Sequence, residues 1–566
     1  MPLMGSLYIG QSGLQTSQNA LNTVAHNLSN LDTSGYTRQQ VLQGDKEYNT
    51  LNRSVSAVSN QQVGLGVTYS KVRQVRDYFL DQTYRKESGR SAFYTASYEA
   101  MTEVESILGE LYGATFNDSM TDFKEAIDEL AKTPTDSVVQ GLVVQRAATF
   151  LESAQAVYQG LCNYQDNLNL QIKNNITKIN EYGQKISELN KQIVKIEAGG
   201  VENANDLRDE RNRLLDELSA MAKISYKEDS YGNITVRIEE HDFIAKDFVY
   251  EIGLYEDDTT GFYTPFWVTD ANYTLDANGE KHYDIEGAEV FNLEQTISSE
   301  LNTDIGGTKA MLLARGDRRA NYTDLEDEET YNKEISQSII MNIQAEFDQL
   351  IHSMVTTING ILESAADTST GYLCETVVIN GVETYQPIQL FQKKVTDGYT
   401  YGTVTGEDGT TQKAWVYNEE DASKTESLYT TSNLIVNPAL VREPTKLGFK
   451  RPDQKDDYET AAALAECFQI ENLSLNPNVS MKSSFTDYYS DLVSQIANSG
   501  SVYKSICESQ EDTVEATSAA REQIVGVSSD EELTNMVKYQ NAYNASSRYI
   551  NVISEMLEHI INTLAT

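Results

Sequence analysis

Residues 2–31 read PLMGSLYIGQSGLQTSQNALNTVAHNLSNL, without one Asp, Glu, Lys or Arg in a chain that is 23% charged. Leu7, Leu14, Leu21 and Leu28 recur every seven residues, with Leu3, Val24 and Leu31 on the neighbouring track. Such a repeat returns to one stripe of a helix every two turns, the a/d seam of packed helices. The remaining faces carry Gln, Asn, Ser and Thr. A solvated helix normally turns ions outward, whereas uncharged hydrogen-bonding faces suit a helix surrounded by protein. A polar, frayed tail would leave the leucine repeat unexplained.

The other end of the chain repeats the pattern. Met536, Tyr543, Ile550, Leu557 and Leu564 are spaced by seven, with Tyr539, Ile553 and Ile560 at companion positions. Ser529 with Glu532 three residues on reads as a capping box at the helix start. Segments 3–31 and 533–564 would each span about 45 Å as helices. Two amphipathic helices of matched length can form an antiparallel coiled coil. Either one alone would be marginal in water. The expectation is therefore that both are poorly ordered in the free monomer and become helical on assembly.

Inboard, residues 86–112 and 116–132 read as helical. A longer helix follows Pro134, with Ile172, Ile179, Ile186 and Ile193 at seven-residue spacing, and ends at Gly199-Gly200. Leu207, Leu214, Leu218 and Met221 mark a shorter helix over 206–221, and Ile335, Ile339, Ile343, Phe347, Leu350, Met354 and Ile358 another over 333–363. Residues 484–525 complete a bundle to which both halves of the chain contribute. In 224–305 and 370–455 the helical periodicity vanishes and Thr, Val, Tyr and Gly rise. Asn278-Gly279 and Asp408-Gly409 supply hairpin turn signals there. Four of the eight prolines cluster from Pro387 to Pro452.

The fold class expected is multidomain α+β: terminal antiparallel coiled-coil helices, a long α-helical bundle stalk, and inserted β-rich outer domains. Residues 1–40 with 528–566 form the terminal core, and 41–223 with 306–366 and 480–527 the stalk. Residues 224–305 and 367–479 are two β-rich inserts. This nested order places both termini at the same end.

Composition excludes several functions. A net charge of −41 over 566 residues is incompatible with generic nucleic-acid binding and disfavours an anionic membrane surface. No apolar run reaches the roughly 18–20 residues of a membrane span, and the N-terminus lacks the basic region of a secretory signal. Cys162, Cys374, Cys467 and Cys507 are too scattered for a zinc site or a disulfide framework and are expected as free thiols. Gly64-Leu65-Gly66 is a turn without the third glycine of a dinucleotide site. His26, His241, His282, His352 and His559 fall on different elements, so no catalytic or metal constellation emerges, and no cofactor is expected. His26 is expected as a buried hydrogen-bonding group.

Asn27-Leu28-Ser29-Asn30-Leu31-Asp32-Thr33-Ser34-Gly35-Tyr36-Thr37-Arg38 resembles the N-terminal signature of bacterial flagellar rod, hook and hook-associated proteins, and Ser12-Gly13-Leu14 and Ala20-Leu21-Asn22-Thr23 fit the same pattern. Physically the motif ends a helix: Asn30, Asp32 and Ser34 favour turns, Gly35 permits positive φ, and Tyr36 can anchor the exit. Arg38, the stretch Asn205–Leu218, Gly306-Gly307 before Met311-Leu312-Leu313, and Gly526–Leu533 with Tyr539–Tyr543 are similar to the branch that stands between hook and filament, as the first of its two junction proteins. The resemblance covers roughly 1–225, 305–365 and 480–566.

It implies a non-enzymatic subunit, exported without a cleaved signal peptide through the flagellar type III apparatus and housed in the extracellular flagellum. Its implied partners are further copies of itself in a ring-like homo-oligomer, the hook protein, the second junction protein, and an export chaperone on the C-terminal helix. The residues expected at the assembly interface are Leu7, Leu14, Leu21, Val24, Leu28, Leu31, Met536, Tyr543, Ile550, Ile553, Leu557, Ile560 and Leu564. The motif itself rests on Asn27, Asn30, Gly35, Tyr36 and Arg38. Alternatives are a hook- or rod-type axial subunit, or a flagellar-type chain whose outer insert carries peptidoglycan hydrolase or adhesin activity.

Overall fold

The computed structural model describes residues 3–33, 35–46, 49–50, 62–109, 115–200, 202–276, 281–379, 382–394, 399–405, 411–417, 420–421 and 424–564. Helix α1 (Leu3–Ser29) leads into a hairpin of β1 (Gln39–Asp45) and β4 (Val67–Gln74), extended by the two-residue strands β2 (Asn49–Thr50) and β3 (Gln62–Val63). Four helices follow: α2 (Tyr78–Leu108), α3 (Phe116–Lys132), α4 (Ser137–Glu197) and α5 (Asn205–Met221). Later come α6 (Gly307–Arg315), the single turn α7 (Glu328–Thr330), α8 (Ile339–Ala365), α9 (Pro438–Arg442), α10 (Tyr458–Glu466), α11 (Phe485–Val525) and α12 (Ser529–Leu564). The long helices start where a side chain accepts from orphan backbone N–H groups: Asp77 for α2, Asp136 for α4 and Ser484 for α11.

α4 has 61 residues, about 90 Å of helix. Its lower half lies in an apolar cluster with α2, α3, α8 and the start of α11, centred on Phe116, Phe123, Phe150, Phe347 and Tyr489. Edge-to-face and tilted rings at 4.9–5.5 Å interlock there. Its upper half buries Ile172, Ile179 and Ile186 against Leu214, Leu215 and Leu218 of α5 and a four-stranded antiparallel sheet. That sheet comprises β5 (Ile224–Glu228), β6 (Ile234–Ile238), β7 (His241–Ala245) and β8 (Phe248–Val249). Two hairpins complete the first insert, β9 (Ile252–Glu256) with β10 (Tyr263–Trp267) and β11 (Asn272–Leu275) with β12 (Lys281–Asp284).

A column of amides fastens this insert to α4. Asn169, Asn180 and Asn190 stand 11 and 10 residues apart, close to three helical turns, and so share a face. Each is bidentate with insert backbone. Asn169 donates to the Gly261 carbonyl (2.9 Å) and accepts from Tyr263 N–H (2.8 Å). Asn180 engages both groups of Ile252 (2.8 and 3.1 Å), and Asn190 both groups of Ile234 (3.0 and 3.2 Å). The helix side chains thus act as a surrogate strand for backbone that would otherwise be buried unpaired.

The second insert differs from the expected β-rich domain. It holds the hairpins β13 (Cys374–Ile379) with β14 (Val382–Pro387) and β16 (Tyr399–Thr405) with β17 (Thr411–Tyr417), and the pair β15 (Phe391–Lys393) with β18 (Leu434–Val436). Residues 424–479 are otherwise short helical turns, α9 and α10 among them. Leu373, Ile388, Phe391, Leu434, Phe449 and Phe468 lie in the same apolar cluster as α3, α4 and α8. Asn278-Gly279 and Asp408-Gly409 lie outside the described residues, although the strands flanking each pair are antiparallel. The helix expected over 333–363 is also broken. A π-helical turn at Tyr331–Ile335 precedes α8, and Ser338 caps α8 by accepting from Met341 N–H (3.4 Å) while its Oγ donates to the Ala314 carbonyl (3.3 Å).

Both terminal segments are helical, and α1 packs along α12 in opposite direction, with Gly10 beside Ile550 and Gly13 beside Ser546. The α1 face nearest α12 is built of small residues. Ser6, Gly10, Ser17, Ala20, Val24 and Asn27 are buried, whereas Leu7, Leu14, Leu21 and Leu28 are half-buried and Leu31 is 42% exposed. A Cβ on Gly10 would lie 2.7 Å from Ile550 Cγ1, so the two axes approach only because it is absent. Among the described residues no helix is long and apolar enough to cross a membrane, and the four cysteines are free thiols.

Candidate functional site at the base of the terminal helices

The motif after α1 reverses the chain on one buried amide. Asn27, 1% exposed, accepts from Tyr36 Oη (2.8 Å) and Gln39 N–H (3.0 Å) and donates to the Gln39 carbonyl (2.9 Å). Asn30 holds the last turn of α1, its Nδ2 donating to the His26 carbonyl (3.0 Å), and accepts from Thr33 Oγ1 (3.2 Å). Gly35 takes φ +80°, a left-handed conformation that a side chain would strain. The Tyr36 ring meets His26 edge-on at 5.5 Å, and burial together with Asp209 pushes its phenol well above the usual range. His26 itself is not buried as expected: its side chain is 41% exposed, and Nε2 lies 3.4 Å from Asp206 Oδ1.

Arg38 ties together three parts of the chain. Its N–H donates to the Val525 carbonyl at the end of α11 (2.9 Å), and its carbonyl accepts from Val75 N–H ahead of α2 (3.0 Å). Its Nε donates to Glu532 Oε1 (2.9 Å) and its Nη1 pairs with Glu531 Oε2 (2.8 Å), both in the first turn of α12. Glu532 is therefore not the returning arm of a capping box. Ser528 precedes the helix and accepts from Glu531 N–H (3.5 Å), leaving the Glu532 carboxylate, 2% exposed, for Arg38.

Thr37 places the motif on α5. Its N–H donates to Asp209 Oδ2 (3.2 Å), and Gln74 Nε2 reaches Asp209 Oδ1 (2.7 Å). Burial pushes the Asp209 carboxyl up to about 6. From there charges alternate across the stalk. Arg76 pairs with Asp81 (2.9 Å), Asp81 with Arg521 (2.9 Å), Arg521 with Asp216 (2.7 Å), and Asp216 with Arg85 (2.6 Å). This chain joins the segment between β4 and α2 to α2, α11 and α5. Sequence reading missed it because its members belong to three helices and a loop and share no spacing.

Along α12, Met536, Tyr543, Ile550 and Leu557 are half-buried and Ile553 is 6% exposed, while Ile560 is 40% exposed and the side chain of Leu564 lies outside those described. Further apolar residues of α12 are exposed: Leu533, Val537, Val552, Met556 and Ile561 are each about half exposed or more. Their spacings of 4, 15, 4 and 5 residues return to no single stripe of the helix, so no periodicity announces them.

A model of the flagellar hook-associated protein FlgK helical domain matches residues 101–371. Models of the flagella basal body rod protein and of the flagellar basal body rod FlgEFG protein C-terminal match residues 7–37 and 523–563. Flagellar hook-associated protein 1 of Bacillus subtilis (strain 168) is 23% identical in an alignment covering 99% of each chain. The chain belongs to the flagellar hook-associated protein 1 family. Its Escherichia coli (strain K12) relative is 23% identical over 97% of this chain and 98% of that one. The solved flagellar hook junction protein FlgK from Burkholderia pseudomallei superposes with a TM-score of 0.51 at 13% identity, covering 79% of this chain and all of that one. The hook-associated protein 1 match over 101–371 spans α3–α6 and α8 with the first insert, and the two rod-type models fall on the terminal helices and the motif that joins them to the stalk.

Proposed function

We propose that this chain is a non-enzymatic structural subunit of the bacterial flagellum that forms the junction between hook and filament. The observation that carries this reading is the alignment with hook-associated protein 1 over nearly the whole of both chains. The rod-type matches are confined to the ends, and the stalk match at 101–371 favours the junction role over a hook or rod subunit.

In this reading residues 1–40 and 528–566 form an antiparallel coiled-coil axial core. Residues 41–223, 306–366 and 480–527 form the bundle stalk, and 224–305 and 367–479 the outer inserts. The half-buried leucines of α1 and the α12 rows contact neighbouring copies in a ring, with the hook protein below and the second junction protein above. The chain reaches that place through the flagellar type III apparatus without a cleaved signal peptide, its C-terminal helix held by an export chaperone. The exposed apolar residues of α12, Leu533, Val537, Val552, Met556 and Ile561, support this, since apolar surface costs solubility unless another chain covers it.

Immunogold labelling of isolated hook–basal bodies with antibody against residues 224–305 tests the placement. The label should gather at the distal end of the hook, and label along the hook shaft or rod would refute it. Zymography on cell walls tests the hydrolase alternative, for which a lytic band is required.

A further inference from the structure

No buried apolar cluster among the described residues joins the terminal helix pair to the stalk. The buried apolar clusters among the described residues draw their members from 93–496, and none includes a residue of α1, the β1–β4 hairpin or α12. Covalently the pair is connected by two short segments, 526–528 between α11 and α12 and 30–36 after α1. Packed apolar interfaces resist rotation because their side chains interdigitate. A joint of hydrogen bonds and ion pairs can exchange its partners for water at small net cost.

Beside the contacts of His26 with Asp206 and of Thr37 with Asp209, one residue of this joint also reaches α12. The backbone of Arg38 is fixed to the stalk on both sides, by Val525 of α11 and by Val75 before α2, while its guanidinium holds the first turn of α12 through Glu531 and Glu532. α11 stops at Val525 and α12 starts at Ser529, so the angle between these helices of 41 and 36 residues is set within three residues. Among the described residues, the ion pairs at that break are those of Arg38 with Glu531 and Glu532.

We propose that Arg38 is a latch that fixes the angle between the terminal helix pair and the stalk, and that releasing it from Glu532 lets the pair swing about residues 526–528 and 30–33. This rests on reading the terminal pair as the assembly element. A subunit that meets different neighbours below and above needs a joint that can be set after arrival. The Glu532 carboxylate, nearly excluded from solvent, loses its one strong cation when the latch opens, which makes the closed state the resting one.

The test is amide hydrogen exchange on the isolated full-length chain, with small-angle scattering on the same samples. Arg38→Gln should speed exchange in peptides covering 30–40 and 524–534 at least tenfold and broaden the distribution of maximum dimensions, with peptides from 340–362 unchanged. Glu532→Gln should do the same from the other side, and the double variant should exceed neither single one. Arg38→Lys, which keeps the charge but loses the fork, should fall between. Unchanged exchange in both single variants, or an equal rise over 340–362, overturns the latch. The readout is taken on the monomer, so its failure is separate from failure of the junction assignment.

Discussion

Asn190 pairs with both backbone groups of Ile234: its Nδ2 donates to the carbonyl at 3.0 Å and its Oδ1 accepts the N–H at 3.2 Å. The same oxygen accepts from Arg211 Nη1 at 2.9 Å, in a place where Asn190 is fully buried and Arg211 nearly so. Replacing this amide with leucine leaves one buried donor and one buried acceptor of strand β6 without partners. Each such orphan costs about 1–3 kcal/mol. Asn190→Leu should therefore destabilise the upper stalk by roughly 2–4 kcal/mol. A urea titration followed by the fluorescence of Trp267, which lies in the same cluster, should show the earlier midpoint.

A second expectation concerns pH. Glu346 is buried between α8 and α11, accepts from Asn476 (2.8 Å) and Gln495 (3.2 Å), and has no cation beside it; burial pushes its carboxyl up to about 7. A folded-state value above the unfolded one, roughly 4.3, means that the folded protein binds the proton more tightly. Its contribution to stability is thus complete below about pH 4 and lost as pH rises through 7. Asp209, raised for the same reason, acts in the same direction. Glu346→Gln should flatten the fall in melting temperature between pH 5 and pH 8, and an unaltered slope would contradict the assignment.

How much of this was legible beforehand follows from what each feature depends on. The isoleucines of α4 were legible because a helix that packs along one side repeats its apolar residues at helical spacing. The turn at Asn27–Arg38 was legible because glycine and asparagine reveal backbone geometry directly. The Asn169, Asn180 and Asn190 column was hidden, because polar residues on a helix read as a solvated face unless the strand across from them is known. The small residues that let α1 approach α12 were hidden for a related reason. Leucines stand out in a sequence, but close approach selects Gly10, Ser17 and Ala20. The second insert looked separate because its strands are short, and only packing puts Phe391 beside Phe123, with ring centroids 6.0 Å apart.

That shared core gives a third expectation. Phe391 is fully buried among residues of α3 and α4, so truncating it removes contacts from both sides. Phe391→Ala should cost about 3–5 kcal/mol. Hydrogen exchange should quicken in peptides from 116–130 and 143–157 together with those from 424–475. Faster exchange confined to the insert would show that it folds as an independent unit.

The helix pair supplies a fourth. Gly10→Leu forces α12 away from α1, whereas at the site of Gly5→Leu an added Cβ has nothing within 4 Å. Exchange in residues 540–560 should rise sharply in the first variant and stay unchanged in the second. Cells carrying Gly10→Leu should lose motility on soft agar, and cells carrying Gly5→Leu should swim.

The junction assignment is tested most directly by electron microscopy of a strain from which this gene is deleted. The account requires basal bodies carrying complete hooks that end bare, with flagellin recovered from the medium and filaments restored by the intact gene. Filaments of normal length seated on those hooks would contradict it.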